Sequence, residues 1–163
     1  MDIGVGLDSS LNLSFNEQVG LSREAARLGY KSIWTPEGIG QDSFQICAQR
    51  WAASREIIPE GLKTGIAVSP VVYRTPIAFA MSGGTLSELT GGRFVMGIGS
   101  GGVHDPAMRR TLGLPKVSAL SMMRDYLTTL RLLLSGKTVD YTGEVVNLRG
   151  VKLNIEPAPR TPI

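Results

Sequence analysis

Residues 93–102 read RFVMGIGSGG, a short apolar run that ends in a glycine-rich loop. Three similar runs lie upstream, at Met1–Leu7, Ser32–Thr35 and Lys63–Ser69. Short apolar runs bounded by glycine, proline and small polar residues are typical of buried β-strands. A stretch with helical spacing of apolar residues follows each run. We therefore predict repeated β–α units around a parallel sheet, with ligand-binding groups on the loops after the strands.

Start and stop signals delimit the predicted helices. Ser14 and Glu17 form a capping box before a helix that runs to Leu28 and stops at Gly29. The other predicted helices run from Asp42 to Arg55, from Thr75-Pro76 to Gly91, and over Ser118–Leu134. Apolar spacing predicts core faces at Leu21, Ala25 and Leu28; at Phe44, Ala48, Trp51 and Ala52; and at Leu120, Met123, Leu127, Leu130 and Leu134.

Two further patterns complete the predicted fold. Alternation over Val139–Leu153 around Thr142-Gly143 predicts a β-hairpin, and a proline-rich connector around Pro157 and Pro159 predicts entry into another strand. Gly83-Gly84 inside the third helix predicts close approach of another backbone, because internal glycine weakens a helix. We predict an α/β fold: one domain over residues 1–163, the N-terminal half of a (β/α)8 TIM barrel, with about four βα units plus a hairpin insertion, truncated before strand five.

Composition limits the classes of function. The 163 residues carry a net charge of only +3 with scattered basic residues, which disfavours nucleic-acid binding. No apolar stretch reaches the roughly 20 residues of a membrane span, and no basic-then-apolar leader is present, so we expect a cytoplasmic protein that does not bind membranes. The single cysteine, Cys47, excludes an internal disulfide and is expected to be a small buried residue.

Several motifs resemble a known family. They are Trp34-Thr35-Pro36-Glu37, Thr64–Val68, the run TLSELTGGRF at residues 85–94, and Gly97-Ile98-Gly99-Ser100-Gly101. In this order and spacing the chain resembles the bacterial-luciferase-like superfamily of flavin- and deazaflavin-dependent oxidoreductases. The most similar branch is the deazaflavin (coenzyme F420) group that resembles methylenetetrahydromethanopterin reductase. The resemblance implies a TIM barrel of roughly twice this length, in which the half absent from this chain supplies many of the contacts to the cofactor phosphate.

The glycine loop after the fourth predicted strand has three interpretations. Residues 97–102 satisfy the dinucleotide fingerprint GxGxxG, but His104-Asp105-Pro106 follows where that fingerprint demands a helix. A tight turn without a ligand role is the second interpretation. The resemblance favours the third, in which small residues let a flavin or deazaflavin ring lie against the backbone. Gly99, Ser100 and Gly101 would then contact the cofactor.

The third predicted strand and Glu37 supply the remaining site predictions. The resemblance implies a bulge with a cis peptide at Ala67–Val68 that backs the cofactor ring, with Ser69 beside it; an ordinary buried strand is the alternative. Glu37 stands where the family places a polar group, often histidine, and a carboxylate in an apolar pocket can have a raised pKa and transfer protons. Glu37 is thus the predicted catalytic residue, against the alternative of a solvent-facing or helix-capping glutamate. No metal-ligand grouping is found.

These patterns lead to alternative functions. The resemblance implies hydride transfer between F420, or alternatively FMN, and a small-molecule substrate. An FMN-dependent monooxygenase of the same superfamily is the second alternative. Gly102 replaces a glutamate of sugar-phosphate-oxidising relatives, so that activity is not favoured. His104, the only histidine, is either a substrate or phosphate contact or a surface residue. A third alternative is an inert half-barrel that self-associates as a homodimer through its open sheet.

Overall fold

Four parallel strands form the sheet around which the chain is built. The computed structural model describes residues 1–155 and 161–163. The sheet has the order β1 (Gly4–Gly6), β2 (Ser32–Thr35), β3 (Lys63–Pro70), β4 (Phe94–Gly99). Helices connect the strands: α1 (Phe15–Arg27), α2 (Ser43–Ser54) and α3 (Pro76–Leu89), with a short α4 (Pro106–Thr111) and a long α5 (Ala119–Leu133) after β4. This order of elements is that of half a (β/α)8 barrel, as predicted.

The predicted helix signals are confirmed. Ser14 accepts a hydrogen bond from the Glu17 backbone N–H, and the Glu17 carboxylate accepts from Ser14, so the capping box is complete. Asp42 caps α2, and Thr75 with Pro76 begins α3. The predicted hairpin is also present as β5 (Val139–Thr142) and β6 (Asn147–Val151), which pair in antiparallel fashion. Helix α4 was not predicted.

All three predicted core faces are wrong in part. Leu21 and Leu28 of α1 are exposed, and the helix instead buries Gln18, Ser22, Ala25 and Ala26. In α5, Leu120 is 68% exposed, and Asp125 and Thr129 are buried alongside Leu130. Helices α1 and α5 carry leucines on more than one face, so apolar spacing alone does not identify the buried face. In each helix the buried face includes polar residues that have hydrogen-bond partners. Ala52 of α2 is likewise exposed, whereas Phe44 and Trp51 are buried as predicted.

The main core lies between the sheet and helices α2, α3 and α5. Its centre is aromatic: the Phe44 ring centroid lies 6.0 Å from that of Phe79 and 5.8 Å from that of Phe94. Gly83 faces this core, where a Cβ would lie 2.7 Å from the Met96 sulfur, and a Cβ at Gly84 would lie 2.5 Å from Ile155. The close approach to α3 predicted at Gly83-Gly84 therefore exists, but the approaching atoms belong to side chains rather than to another backbone.

The hairpin is fastened to α5 through Asp125. This buried carboxylate accepts hydrogen bonds from the backbone N–H groups of Val145 (2.7 Å) and Val146 (3.0 Å) and from the Tyr141 hydroxyl (2.8 Å). Burial by itself raises the pKa of Asp125, but these hydrogen bonds outweigh it and the pKa lies below its ordinary value. The carboxylate is thus committed to structure.

The sheet has two outer strands, β1 and β4. Beside β4, the Met96 N–H donates to the Pro162 carbonyl oxygen at 2.9 Å, so residue 162 lies on the side where a next strand would pair. The predicted proline-rich connector, residues 156–160, lies outside the described residues. No helix in the part of the chain that the structure describes is long and apolar enough to cross a membrane.

Candidate functional site

A cavity opens where the first three strands end. It measures about 230 Å³ and is lined by Gly6 and Leu7 of the β1 end, by Trp34 and Pro36 of the β2 end, and by Ala67 of β3, with Asp8 and Thr35 beside them. Ligand sites of this fold type lie at the carboxyl ends of the strands. The volume is below the range of about 300–1,000 Å³ typical of complete ligand pockets. The cavity is therefore smaller than a complete ligand pocket.

Trp34 forms the floor of this cavity. Its indole lies across Gly4 and Gly65. A Cβ added at Gly4 would lie 2.9 Å from the nearest indole atom, and one added at Gly65 would lie 2.3 Å from it. The indole N–H donates to the Ser32 hydroxyl at 2.9 Å, which fixes the ring orientation. Trp34 is half-buried and lines the cavity.

Strand β3 carries the predicted bulge. Its pairing with β4 shifts between Ile66, opposite Met96, and Ser69, opposite Ile98, so that β3 holds one extra residue. The peptide bond between Ala67 and Val68 is cis, as the family resemblance implied. Ala67 lines the cavity and Val68 is 47% exposed, so both are open to a ligand. Ser69 is fully buried and turned away from the cavity toward Glu37.

Glycines in β4 and in the loop after it make room for that bulge. A Cβ at Gly97 would lie 2.1 Å from the Ile66 carbonyl oxygen, one at Gly99 2.9 Å from Val68, and one at Gly101 2.4 Å from Pro70. Close packing against β3 and Pro70 therefore accounts for these glycines without a cofactor. The loop turns at Gly101 (φ 61°), and the next helix begins only at Pro106. A dinucleotide fingerprint requires a helix that begins at the glycine loop itself, so the structure does not match it. Cofactor contact by Gly99, Ser100 and Gly101 stays a prediction.

Glu37 belongs to a buried cluster that the sequence did not reveal. We call Glu37, Asp42, Ser69 and Arg74 the Arg74 cluster. The Arg74 guanidinium donates to both Glu37 oxygens, one at 2.6 Å, and to the Asp42 carboxylate. The Ser69 hydroxyl and the Ser43 N–H also donate to Glu37. The Arg74 guanidinium lies 5.0 Å from the Phe44 ring centre, so cation–π contact adds to the ion pairs.

This cluster fixes the charge of Glu37. Burial by itself raises the pKa of Glu37, but the hydrogen bonds from Arg74, Ser69 and Ser43 outweigh it and hold the pKa below its ordinary value. The expectation of a raised pKa is therefore wrong in direction. The Glu37 backbone N–H donates to the Val68 carbonyl oxygen at 3.3 Å, so the cluster also ties the β2 loop to the bulge. A proton-transfer role for Glu37 stays a prediction that this geometry does not favour.

The lowered pKa of Glu37 makes stability depend on pH. A carboxyl with a folded pKa below its ordinary value of 4.5 contributes stability that is complete above that value. We expect the free energy of unfolding to fall as the pH drops through 4.5 and then through the folded pKa. Urea unfolding from about pH 3 to pH 7 measures this. The pKa values of Asp42 and Asp125 are lowered as well, so the wild-type chain must be compared with Glu37→Gln. The free energy of unfolding of Glu37→Gln should depend less on pH. Equal slopes would contradict the assignment.

The other candidate groups lie apart from the cavity. His104 is exposed beyond the glycine loop, as the surface interpretation predicted. Cys47 is fully buried, and burial raises the pKa of its thiol to about 11, so it is a structural residue. Residues 1–155 and 161–163 contain no group of histidine, cysteine and acidic side chains that could hold a metal ion. Gly6 and Arg74 were missed, since neither stands in a motif and only the fold places them at the strand ends.

Comparison with known proteins identifies relatives. The profile of the family described as luciferase-like monooxygenase matches residues 2–163. The 5,10-methylenetetrahydromethanopterin reductase of Archaeoglobus fulgidus is 34% identical over 96 residues, which are 59% of this chain and 28% of that protein. The chain therefore matches well under half the length of this curated relative.

Two solved structures share the fold. The coenzyme F420 dependent tetrahydromethanopterin reductase of Methanopyrus kandleri superposes with a TM-score of 0.77 at 20% identity, over 94% of this chain and 46% of that one. The oxygenating constituent of 3,6-diketocamphane monooxygenase of Pseudomonas putida, solved with FMN, gives 0.73 at 18% identity, over 91% and 44%. The chain thus spans about half the length of these structures.

Proposed function

This chain belongs to the luciferase-like monooxygenase family, and from that premise we propose that it forms the cofactor-facing half of an F420- or FMN-dependent oxidoreductase. The family is described as luciferase-like monooxygenase, and the solved structures that share the fold include an F420-dependent reductase and a monooxygenase constituent solved with FMN. The observation that carries the proposal is the cavity between Gly6, Trp34 and Ala67 at the strand ends. We propose a small organic molecule as substrate and keep the predicted cytoplasmic location.

The residues around the cavity fit a flat tricyclic ring. Trp34, Pro36 and Ala67 present apolar surfaces, and a Cβ added at Gly6 would meet nothing within 4 Å, so the cavity is open there. Apolar walls with few polar groups are typical of cofactor sites. F420 or FMN, when bound, would supply hydride-transfer chemistry, and FMN would in addition permit monooxygenation.

The chain's own residues would bind and orient the ring. Ala67 and Val68 would lie behind it, with Trp34 at its edge. The Arg74 cluster would act through the bulge, because Glu37 hydrogen-bonds β3 at the Val68 carbonyl oxygen and at the Ser69 hydroxyl, directly after the cis peptide. We therefore propose Ser69 and Glu37 as positioning residues. F420 is our first choice because the curated relative with 34% identity is a methylenetetrahydromethanopterin reductase, the branch that the sequence motifs resemble.

A substitution at Gly6 tests this site. We expect Gly6→Leu to abolish saturable binding of F420 or FMN, because a Cβ at Gly6 meets no protein atom within 4 Å and the longer side chain would occupy the cavity. The matched control is Gly20→Leu, since Gly20 lies in α1 and is equally unobstructed. Cofactor fluorescence during a titration of the purified chain measures binding, and urea unfolding verifies that both variants fold.

The titration separates the alternatives. Saturable binding of one cofactor by the wild-type chain and Gly20→Leu, lost in Gly6→Leu, supports the proposal and chooses between F420 and FMN. Equal binding by all three places the cofactor elsewhere. Absence of binding by a chain that is dimeric in size-exclusion chromatography would favour the inert half-barrel. A homodimer remains our proposal for the assembly, because β1 pairs with a described strand on one side only and Val68 is an exposed apolar residue on the sheet.

A further inference from the structure

Arg50 is a buried cation without an acidic partner. Its side chain extends from α2 and the residue is only 3% exposed. One terminal nitrogen donates to the Trp34 carbonyl oxygen at 3.0 Å and the other to the Gln18 amide oxygen at 3.1 Å. The Nε–H has no hydrogen-bond partner. Both acceptors are neutral, and buried charges in proteins are normally paired with an opposite charge or a ligand.

Nearby acidic groups are committed elsewhere. Glu37 and Asp42 pair with Arg74. Asp8 is exposed and its carboxylate accepts from the Ser10 N–H at 2.8 Å. The Cys47 thiol, whose pKa lies near 11, stays protonated at neutral pH. The ion pairs formed by the described residues do not include Arg50. The described residues therefore give Arg50 no ion pair, and a negative charge from outside them could pair with it.

Arg50 lines a cavity that a ligand could enter. This cavity measures about 350 Å³ and lies between the loop after β1 and the loop after β2. Its polar lining consists of amide side chains, at Asn12, Gln18 and Gln41, together with Asp8 and Thr35. Leu7, Asp8, Thr35 and Pro36 also line the 230 Å³ cavity above Trp34, so the two spaces adjoin.

We propose that this second cavity binds an oxyanion, a phosphate or carboxylate group, whose charge Arg50 compensates. The guanidinium group favours oxyanions because its planar N–H donors match two oxygens at once. The amides of Asn12 and Gln41 would supply further donors that carry no charge, whereas the Gln18 amide already donates to the Leu13 carbonyl oxygen and to the Gln41 amide oxygen. The site needs only Arg50 and the cavity, so it stands whether or not a flavin or deazaflavin occupies the adjoining space.

Inorganic phosphate is the first probe, and acetate is the carboxylate probe. Isothermal titration of the purified chain at pH 7 and constant ionic strength measures the Kd for each. We expect Arg50→Met to bind the preferred anion roughly tenfold to a hundredfold more weakly, the loss expected for a charge-assisted hydrogen bond. Arg55→Met is the matched control. Arg55 follows α2, is exposed, and its side chain hydrogen-bonds only a backbone carbonyl, so the Kd of this variant for the anion should equal that of the wild-type chain.

A second measurement does not depend on the folding of Arg50→Met. In NMR spectra of the ¹⁵N-labelled wild-type chain, the Arg50 Nε–H signal, assigned by its absence from Arg50→Lys, should shift saturably with the anion. Failure of this signal to move for both anions, or equal affinity of Arg50→Met and wild type, would overturn the proposal.

The source of the anion follows from competition. If inorganic phosphate weakens the binding of FMN but not that of riboflavin, the site binds the phosphate group of the cofactor. Phosphate that binds without affecting either flavin would assign the site to a group on the substrate. Both outcomes support the site. If neither flavin binds while phosphate still shifts the Arg50 signal, the cofactor proposal fails and the oxyanion site stands.

Discussion

Arg74→Met is expected to destabilise the chain by about 3–5 kcal/mol, the cost of removing one partner from a buried ion pair. Glu37 keeps only 3% of its side-chain surface exposed and Arg74 16%, so the variant would leave the Glu37 carboxylate largely buried without its cationic partner. The remaining donors to Glu37, Ser69 and the Ser43 N–H, carry no charge. We also expect the Glu37 pKa to rise in this variant. Urea unfolding at pH 7 measures the loss of stability.

The control for Arg74→Met is Arg23→Met. Arg23 also pairs with a glutamate, Glu56, at 2.6 Å, but the two side chains are 39% and 55% exposed. Exposed ion pairs contribute only about 0–1 kcal/mol, so Arg23→Met should leave the unfolding midpoint nearly unchanged. The double variant Glu37→Leu/Arg74→Met should recover part of the loss, since it removes the unpaired charge. Arg74→Met within about 1 kcal/mol of wild type would show that the cluster is not coupled as its geometry implies.

Gly97→Ala is expected to destabilise the chain by about 3 kcal/mol, the upper end of the usual cost of overpacking. The added Cβ would lie 2.1 Å from the Ile66 carbonyl oxygen and 3.2 Å from its carbon. A backbone atom cannot rotate away as a side chain can, so β3 and β4 would have to separate beside the bulge. We therefore expect this variant to lose cofactor binding together with stability.

Two other glycines serve as controls for Gly97→Ala. Gly20→Ala adds a methyl group in the interior of α1 with no atom within 4 Å, and it should stabilise the chain by about 0.5–1 kcal/mol. Gly99→Ala places its Cβ 2.9 Å from a Val68 methyl group, which can move, so its effect should fall between the two. Equal stability of Gly97→Ala and Gly20→Ala would contradict the close packing of β3 on β4.

Local signals in the sequence accounted for most element boundaries. The capping box at Ser14 and Glu17, the Asp42 N-cap and the Thr75-Pro76 start each act within a few residues, so sequence suffices to locate them. Burial was less predictable. Leu120 satisfies the helical apolar spacing yet lies outside, because the hydrogen bonds of Asp125 to the hairpin decide which face of α5 is buried.

The candidate site shows the same division. Motifs alone pointed to Ala67, Val68 and the loop after β4, because those residues recur in a recognisable order. They did not reveal why the loop is glycine-rich: its glycines accommodate the β3 bulge, a contact between strands about thirty residues apart. They also assigned Glu37 a raised pKa, because a pKa depends on partners such as Arg74 that lie far along the chain.

The sequence by itself determined the alternation of strands and helices, the half-barrel architecture and the family, since these depend on periodicity, caps and contiguous motifs. Only the tertiary structure decided which side chains share a space. It brought Gly6, Trp34 and Ala67 around one cavity, paired Glu37 with Arg74, and left Arg50 buried without an acid. The physical reason is that electrostatic and packing energies depend on distances in space, and parallel strands bring together residues that the sequence separates.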